Sequence, residues 1–204
     1  MEQIFTYLST NWMDTLGVCL GLLYLWLEIR ENAWMWVVGC IMPVIYIFVL
    51  YQAGIYGDCL VEVYAFFAGI YGLFYWLRSR RVEGTQKHEL PITYAPGRTR
   101  LWLLIITAVA WATLSYLLAN YTDSRVPIID GFTTALYFVA LWMLSRKYIE
   151  QWWVWFVMDA LSSGLYIYKG VYGRALLYAI YTVIACYGYW EWKKRLRQAT
   201  PENE

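Results

Sequence analysis

The sequence predicts an all-α membrane protein with seven transmembrane helices, and three observations support this fold class. Of the 204 residues, 61% are hydrophobic and 20% aromatic while 15% are charged, and a soluble domain of this size seldom carries so little charge. Apolar runs long enough to cross a bilayer occur seven times. The first three runs and the last three resemble one another in sequence. The predicted architecture is therefore three helices, one connecting helix and three more.

The predicted spans divide the chain into three parts. Residues 1–77 form the first three-helix repeat, residues 78–128 a cytoplasmic linker with the connecting fourth helix, and residues 129–204 the second repeat with a basic cytoplasmic tail. The linker is polar and rich in turn residues, and it contains the only histidine, His88. The first apolar run follows an acidic start and lacks a small-residue cleavage pattern, so it is expected to be retained. The seven spans lie near residues 12–29, 34–52, 58–77, 100–120, 129–146, 151–168 and 172–192.

The distribution of lysine and arginine predicts the orientation of the bundle. Of the 16 basic residues, only Arg125, Lys169 and Arg174 lie on one predicted side of the membrane, and the other 13 lie on the opposite side. By the positive-inside rule, the N-terminus is expected outside and the C-terminus in the cytoplasm. Such a division requires an odd number of spans.

The two halves of the chain form an internal repeat. A shift of 116 residues aligns residues 25–76 with residues 141–192 without a gap, and 13 of the 52 pairs are identical. One span separates the two triplets, so they run in the same direction and form parallel repeats about an axis along the membrane normal. The sugar-exporting SWEET proteins use this arrangement. In such folds a substrate site lies near the midplane between the repeats.

One face of the sixth span combines aromatic rings with an acid. Trp152, Trp155 and Asp159 fall within about 60° of one another at 100° per residue. A carboxylate within a membrane is costly, which makes Asp159 a functional residue by default. Indole faces attract cations, and a buried anion needs a counter-charge. The predicted ligand is therefore flat and cationic.

A second acid, Glu62, lies within the third span. We interpret it as a polar wall of the substrate cavity opposite Asp159, while the alternative is a protonated acid paired with a tyrosine hydroxyl. Trp152 and Trp155 have the alternative role of an interfacial aromatic belt, and Asp159 the alternative of a purely structural acid.

Other protein classes fit the sequence poorly. One histidine and four dispersed cysteines do not form a zinc site, and no phosphate-binding glycine loop or Ser/His/Asp set occurs. We therefore expect no enzyme, no catalytic residue, no metal and no cofactor. The net charge of +1 gives no indication of a nucleic-acid partner. A retinal protein would need a lysine deep in the last span, whereas Lys193 and Lys194 lie beyond its end. A ligand-sensing membrane receptor remains an alternative.

Several motifs of the chain resemble those of the Pnu-type vitamin transporters, whose founding member carries nicotinamide riboside. The likeness covers nearly the whole sequence. The matching motifs are Trp152-x-x-Trp155-x-x-x-Asp159 with Arg146-Lys147 before it and Tyr166-x-Tyr168-Lys169-Gly170-x-Tyr172 after it, Pro127-x-x-Asp130, Tyr56-Gly57-Asp58 and Tyr71-Gly72-x-x-x-Trp76.

The resemblance implies a fold, an activity and a site. It implies three, one and three helices as in a full-length SWEET protein, a homotrimer in the bacterial inner membrane, and facilitated diffusion with trapping of the vitamin by phosphorylation. It also implies that Trp152, Trp155 and Asp159 clamp the substrate, with Tyr166 beside them. The nicotinamide riboside branch usually has an amide at the position of Asp159 and an asparagine at that of Glu62. Two acids there make the chain look like the thiamine branch, with nicotinamide riboside as the alternative substrate.

Overall fold

A computed structural model of the chain describes residues 12–54, 56–79, 90–122 and 124–199, and these form seven α-helices. Each predicted span corresponds to one helix. The first eleven residues, most of the linker with His88, and the end of the tail lie outside the described residues. The helices are α1 (Trp12–Ile29), α2 (Trp34–Gln52), α3 (Tyr56–Ser79), α4 (Gly97–Tyr121), α5 (Pro127–Ser145), α6 (Gln151–Tyr168) and α7 (Tyr172–Ala199).

The helix ends follow local sequence rather than hydrophobicity. Helix α7 runs to Ala199 instead of the predicted residue 192, because the charged residues that follow Trp192 are good helix formers even though they are not apolar. Helix α5 begins at Pro127, whose fixed φ and missing N–H suit the first helical position.

The exterior of the protein is apolar, as expected for a protein surrounded by lipid. Within the described residues, α2, α3, α4 and α5 are long and apolar enough to cross a membrane, and α1 has a shorter apolar part, Leu16–Ile29. Helix α4 has no buried residue, and large apolar side chains such as Leu104 and Val109 lie on its exposed surface. A soluble monomer rarely exposes apolar surface on this scale. These long apolar helices indicate a multi-pass membrane protein.

The helices separate into two compact units, Met1–Leu77 and Arg78–Glu204. The first contains three helices, and the second contains α4 to α7. The division into a first repeat, a linker with the fourth helix, and a second repeat stays a prediction from the sequence.

In the first unit, α2 and α3 approach closely where tryptophan meets glycine. Trp36 on α2 packs edge-on against Trp76 on α3, with ring centroids 5.7 Å apart and an interplanar angle of 89°. A Cβ atom at Gly72 would lie 2.4 Å from the Trp36 ring, so only glycine allows this approach. Both indoles are nearly inaccessible to solvent.

The second unit repeats this contact between α6 and α7. Trp152 packs edge-on against Trp192, with centroids 5.5 Å apart and an interplanar angle of 88°, and a Cβ atom at Gly188 would lie 2.5 Å from the Trp152 ring. We call the two sets, Trp36 with Trp76 and Gly72, and Trp152 with Trp192 and Gly188, the tryptophan–glycine contacts.

Further features recur at the 116-residue spacing. The turn between the first two helices of each triplet contains a residue with positive φ, and so does the turn between the second and third. An arginine lies over a tryptophan one helical turn before it in both halves. The recurring residues are Glu31 (φ 56°) and Lys147 (φ 52°), Gly54 (φ 74°) and Gly170 (φ 73°), and Arg30 over Trp26 (4.3 Å) and Arg146 over Trp142 (5.5 Å). The sequence repeat is therefore accompanied by a repeat of internal geometry.

A strap formed by the end of the linker lies on the turn between α5 and α6. Thr93 and Tyr148 form a parallel β-bridge. The carboxylate of Glu150 accepts the backbone N–H of Ala95 at 3.1 Å and pairs with Arg100 at 2.8 Å. These bonds hold the start of α4 against the turn that precedes α6. The start of α6 is therefore held both by the β-bridge and by the contacts of Glu150.

We expect Gly188→Ala to destabilise the protein, because the added methyl group would overlap the Trp152 ring and force α6 and α7 apart. The expected loss of unfolding free energy is about 1–3 kcal/mol. Gly164→Ala on α6 is the control, because a Cβ atom there meets nothing within 4 Å. Thermal unfolding followed by tryptophan fluorescence in detergent compares the two, and an equal midpoint in both variants would contradict the packing described here.

Candidate functional site

Helix α6 carries the three residues that the sequence singled out, and the structure gives them different surroundings. Trp152 and Asp159 are buried, with 1% and 5% of their surfaces exposed, while Trp155 is half-buried. Asp159 lies halfway along the helix. The predicted shared face is therefore present, but its members contact different partners.

Trp152 is part of the helix packing. Its indole fills the space between α6 and α7 against Trp192 and Gly188. Its equivalent in the first half, Trp36, makes the same contact on a helix that has no charged residue. In both cases the buried indole N–H lacks an acceptor among the described residues. The tryptophan–glycine contact of the first half therefore forms without an acid on the helix of the tryptophan, and the role of Trp152 in binding a substrate stays a prediction.

Trp155 points toward α5. Its ring packs edge-on against Tyr137, with centroids 5.9 Å apart, and its Nε1 donates a hydrogen bond to Oε1 of the fully buried Gln151. Position 39, the equivalent in the first half, is a glycine, and there Tyr24 of α1 fills the space beside it. Each half therefore has one aromatic ring at this helix interface, but the two rings come from different helices.

Asp159 faces tyrosines of α7. Its carboxylate interacts electrostatically with the phenol groups of Tyr178 and Tyr181, whose rings contact each other edge-on at 6.0 Å. Within the described part of the chain, Asp159 forms no ion pair. The site therefore combines a buried carboxylate with polar aromatic rings, and the carboxylate has no ion-pair partner among the described residues.

Tyr166 belongs to the same group and lies about two helical turns further along α6. Its ring stacks on Tyr178, with centroids 5.3 Å apart and an interplanar angle of 13°. The guanidinium of Arg174 lies 5.7 Å from the centroid of the Tyr166 ring. We call Asp159, Tyr166, Tyr178 and Tyr181 the acid–tyrosine cluster. Its members line the interface of α6 and α7.

Glu62 lies on α3 in the first unit and is half-buried. In the internal repeat its equivalent is Tyr178, which contacts Asp159 electrostatically. Glu62 in the first half thus aligns with Tyr178, a member of the acid–tyrosine cluster in the second half. The placement of Glu62 opposite Asp159 stays a prediction.

The sequence analysis did not identify Tyr178, Tyr181 or the buried Gln151 as site residues. The two tyrosines were hard to distinguish because 20 tyrosines occur in the chain. The spacing of i and i+3 does place Tyr178 and Tyr181 on one face of the last helix. As for metals, the described residues hold no group of three or more His, Cys, Asp or Glu side chains that could bind an ion.

Comparison with known proteins relates this chain to a family of transporters. A family model described as "Nicotinamide mononucleotide transporter" matches residues 11–194. A solved structure, "Crystal structure of the Vitamin B3 transporter PnuC", superposes with a TM-score of 0.75 at 21% identity, covering 98% of this chain and 88% of the other. That likeness concerns the fold.

Curated relatives cover nearly the whole chain. The nicotinamide riboside transporter PnuC of Escherichia coli is 26% identical, with 92% of this chain and 87% of that protein aligned. The riboflavin/roseoflavin transporter RibM of Streptomyces davaonensis is 23% identical over the same shares of the two chains.

We expect Trp36→Ala and Trp152→Ala to destabilise the protein by similar amounts, about 3–5 kcal/mol each, because both remove a buried indole from equivalent contacts. Trp153→Ala is the control, since half of the Trp153 surface is exposed. Thermal unfolding in detergent measures all three. A Trp152 variant that melts like the wild type would show that the equivalence of the two contacts does not extend to stability.

Proposed function

Because this chain belongs to the nicotinamide mononucleotide transporter family, we propose that it is a membrane facilitator for uptake of a flat, cationic vitamin, with thiamine as the substrate. The observation that carries the proposal is Asp159, buried within the acid–tyrosine cluster without an ion-pair partner among the described residues. A buried carboxylate is stabilised by a cationic ligand. The thiazolium ring of thiamine supplies such a charge on a planar surface that aromatic side chains attract.

The second acid favours thiamine over nicotinamide riboside. Both vitamins carry a positive charge, so the charge of Asp159 does not separate them. The aminopyrimidine of thiamine offers a ring nitrogen and an amino group as partners for Glu62, whereas the carboxamide and ribose of nicotinamide riboside need no second carboxylate. Nicotinamide riboside is the second candidate, because a relative that aligns with 92% of this chain is named as its transporter.

The proposed architecture follows from the internal repeat. All seven helices cross the membrane, with the N-terminus outside and the cytoplasmic C-terminus carrying the basic tail. The two triplets form parallel repeats joined by α4, and the residues that contact the substrate are Trp152, Trp155, Asp159, Tyr166 and Glu62. The recurrence of the tryptophan–glycine contact in both triplets supports the repeat. The functional assembly is a homotrimer.

Transport proceeds by rocking of one triplet against the other. The positive-φ glycines Gly54 and Gly170 stand at the turns where the second and third helices of each triplet meet and supply the hinges. Phosphorylation of the vitamin in the cytoplasm lowers the concentration of the free vitamin there and so maintains the concentration gradient that drives uptake. A membrane receptor with the same site would bind the vitamin without moving it.

Reconstitution tests the proposed function directly. Purified protein in liposomes is expected to equilibrate labelled thiamine across the bilayer, and unlabelled thiamine is expected to compete better than nicotinamide riboside or riboflavin. Binding without translocation would indicate a receptor. Competition by nicotinamide riboside at micromolar concentration, with none by thiamine, would reverse the choice of substrate.

We expect Asp159→Asn to weaken thiamine binding by at least about 1 kcal/mol, or about fivefold, because the amide removes the counter-charge for the thiazolium. Titration of tryptophan fluorescence measures the affinity. Asp130→Asn is the matched control, since Asp130 forms a partly exposed pair with Lys169 at 3.4 Å. Unchanged affinity in the Asp159 variant would assign this acid a structural role.

A further inference from the structure

An apolar groove lies on the surface between α6 and α7, apart from the acid–tyrosine cluster. Its volume is about 150 Å³, and its lining is almost entirely apolar, formed by Trp152, Trp153, Phe156, Ala185, Cys186 and Tyr189. A cavity of this size holds about one benzene molecule. It therefore suits a segment of a hydrocarbon chain.

A cation stands at the end of this groove. The amine of Lys193 lies 5.5 Å from the centroid of the Tyr189 ring, and Tyr189 in turn packs against Trp153 with centroids 5.0 Å apart. Ala185, Tyr189 and Lys193 follow one another at intervals of four residues, so they form one line along α7. The groove thus leads from an apolar floor to a positive charge.

The length of α7 places the two ends of this line at different depths. A helix of 28 residues is about 42 Å long, whereas the hydrocarbon core of a bilayer is about 30 Å thick. The last turns therefore extend beyond the hydrocarbon. Lys193 comes to the level of the headgroups, and Ala185, about 12 Å lower along the helix, lies among the acyl chains.

The first half of the chain lacks this combination. The positions equivalent to Tyr189 and Lys193 are Leu73 and Leu77. A Cβ atom at Gly69, the equivalent of Ala185, would lie 2.6 Å from Sγ of Cys40, so the two helices close the corresponding space. Among the described residues, the equivalent positions of the first half therefore do not combine an apolar space with a lysine, so this combination is not a consequence of the shared helix packing.

We propose that this groove binds an anionic phospholipid, with one acyl chain between α6 and α7 and the phosphate held by Lys193. The charges are complementary, because Lys193 lies at the end of the groove and the neighbouring acid, Glu191, is paired with Arg195 at 3.3 Å. Basic residues next to a membrane attract anionic lipids. Trp153 and Tyr189 supply the interfacial aromatic rings that flank a headgroup.

Native mass spectrometry of the purified protein with phosphatidylglycerol or phosphatidylcholine tests the proposal. Lys193→Gln is expected to weaken phosphatidylglycerol binding about fivefold. Lys194→Gln is the matched control, because the Lys194 amine lies over the Trp190 ring at 5.8 Å and Trp190 does not line the groove; its binding is expected to stay within twofold of wild type. Cys186→Phe, which fills the groove, is expected to weaken binding of the lipid chain.

Four results would overturn the proposal. Equal binding of the two lipids would exclude headgroup recognition. Equal weakening of lipid binding by Lys193→Gln and Lys194→Gln would show that the lipid is attracted by the overall positive charge and not by a specific contact with Lys193. Displacement of phosphatidylglycerol by millimolar inorganic phosphate would indicate a site for a soluble anion. Loss of self-association in Cys186→Phe with unchanged lipid binding would identify the groove as a contact between copies of the chain. The unfolding midpoint of each variant confirms that it is folded.

Discussion

The contact of a tryptophan with a glycine on the neighbouring helix organises both halves of this protein. A glycine has no Cβ atom, so the indole can lie directly on the helix backbone, and a second tryptophan closes the contact edge-on. Hydrocarbon provides little driving force for helix association, and close packing of large rings against small residues supplies it instead. The contact appears at Trp36 and again at Trp152, and it fixes the pair of helices on which all further features of each half depend.

The candidate site arises where the second half departs from this common plan. Asp159 replaces a proline, Trp155 replaces a glycine, and Tyr178 stands where the first half has Glu62. These positions lie about one to three helical turns from Trp152 or Gly188. The packing can therefore remain the same while the chemistry of the candidate site changes, which is consistent with a family whose named relatives carry nicotinamide riboside and riboflavin.

Much of the fold could be predicted from the sequence, because long apolar runs separated by turns and polar residues leave little choice of helix positions. The end of α7 could not be predicted, since hydrophobicity indicates where the chain crosses the bilayer and not where the helix ends, and the helix continues through Lys193 to Ala199. The residues of α6 that share a face could be predicted, but their partners could not. A spacing of i, i+3 and i+7 put Trp152 and Asp159 on one face, but it gave no information about the partner helix, so the burial of Trp152 against Trp192 and the tyrosines beside Asp159 became apparent only from the structure.

The recurrence of backbone and side-chain geometry every 116 residues has an evolutionary consequence. Two unfused copies of a three-helix ancestor would be identical, and any substitution would appear in both. A carboxylate gained by one copy would then occur at the equivalent position of the other. Once gene duplication and fusion join the copies through an additional helix, each copy can vary alone, so an acid can appear at position 159 while position 43 remains proline. Fusion thereby permits one half to gain a buried acid while the other keeps its original residue.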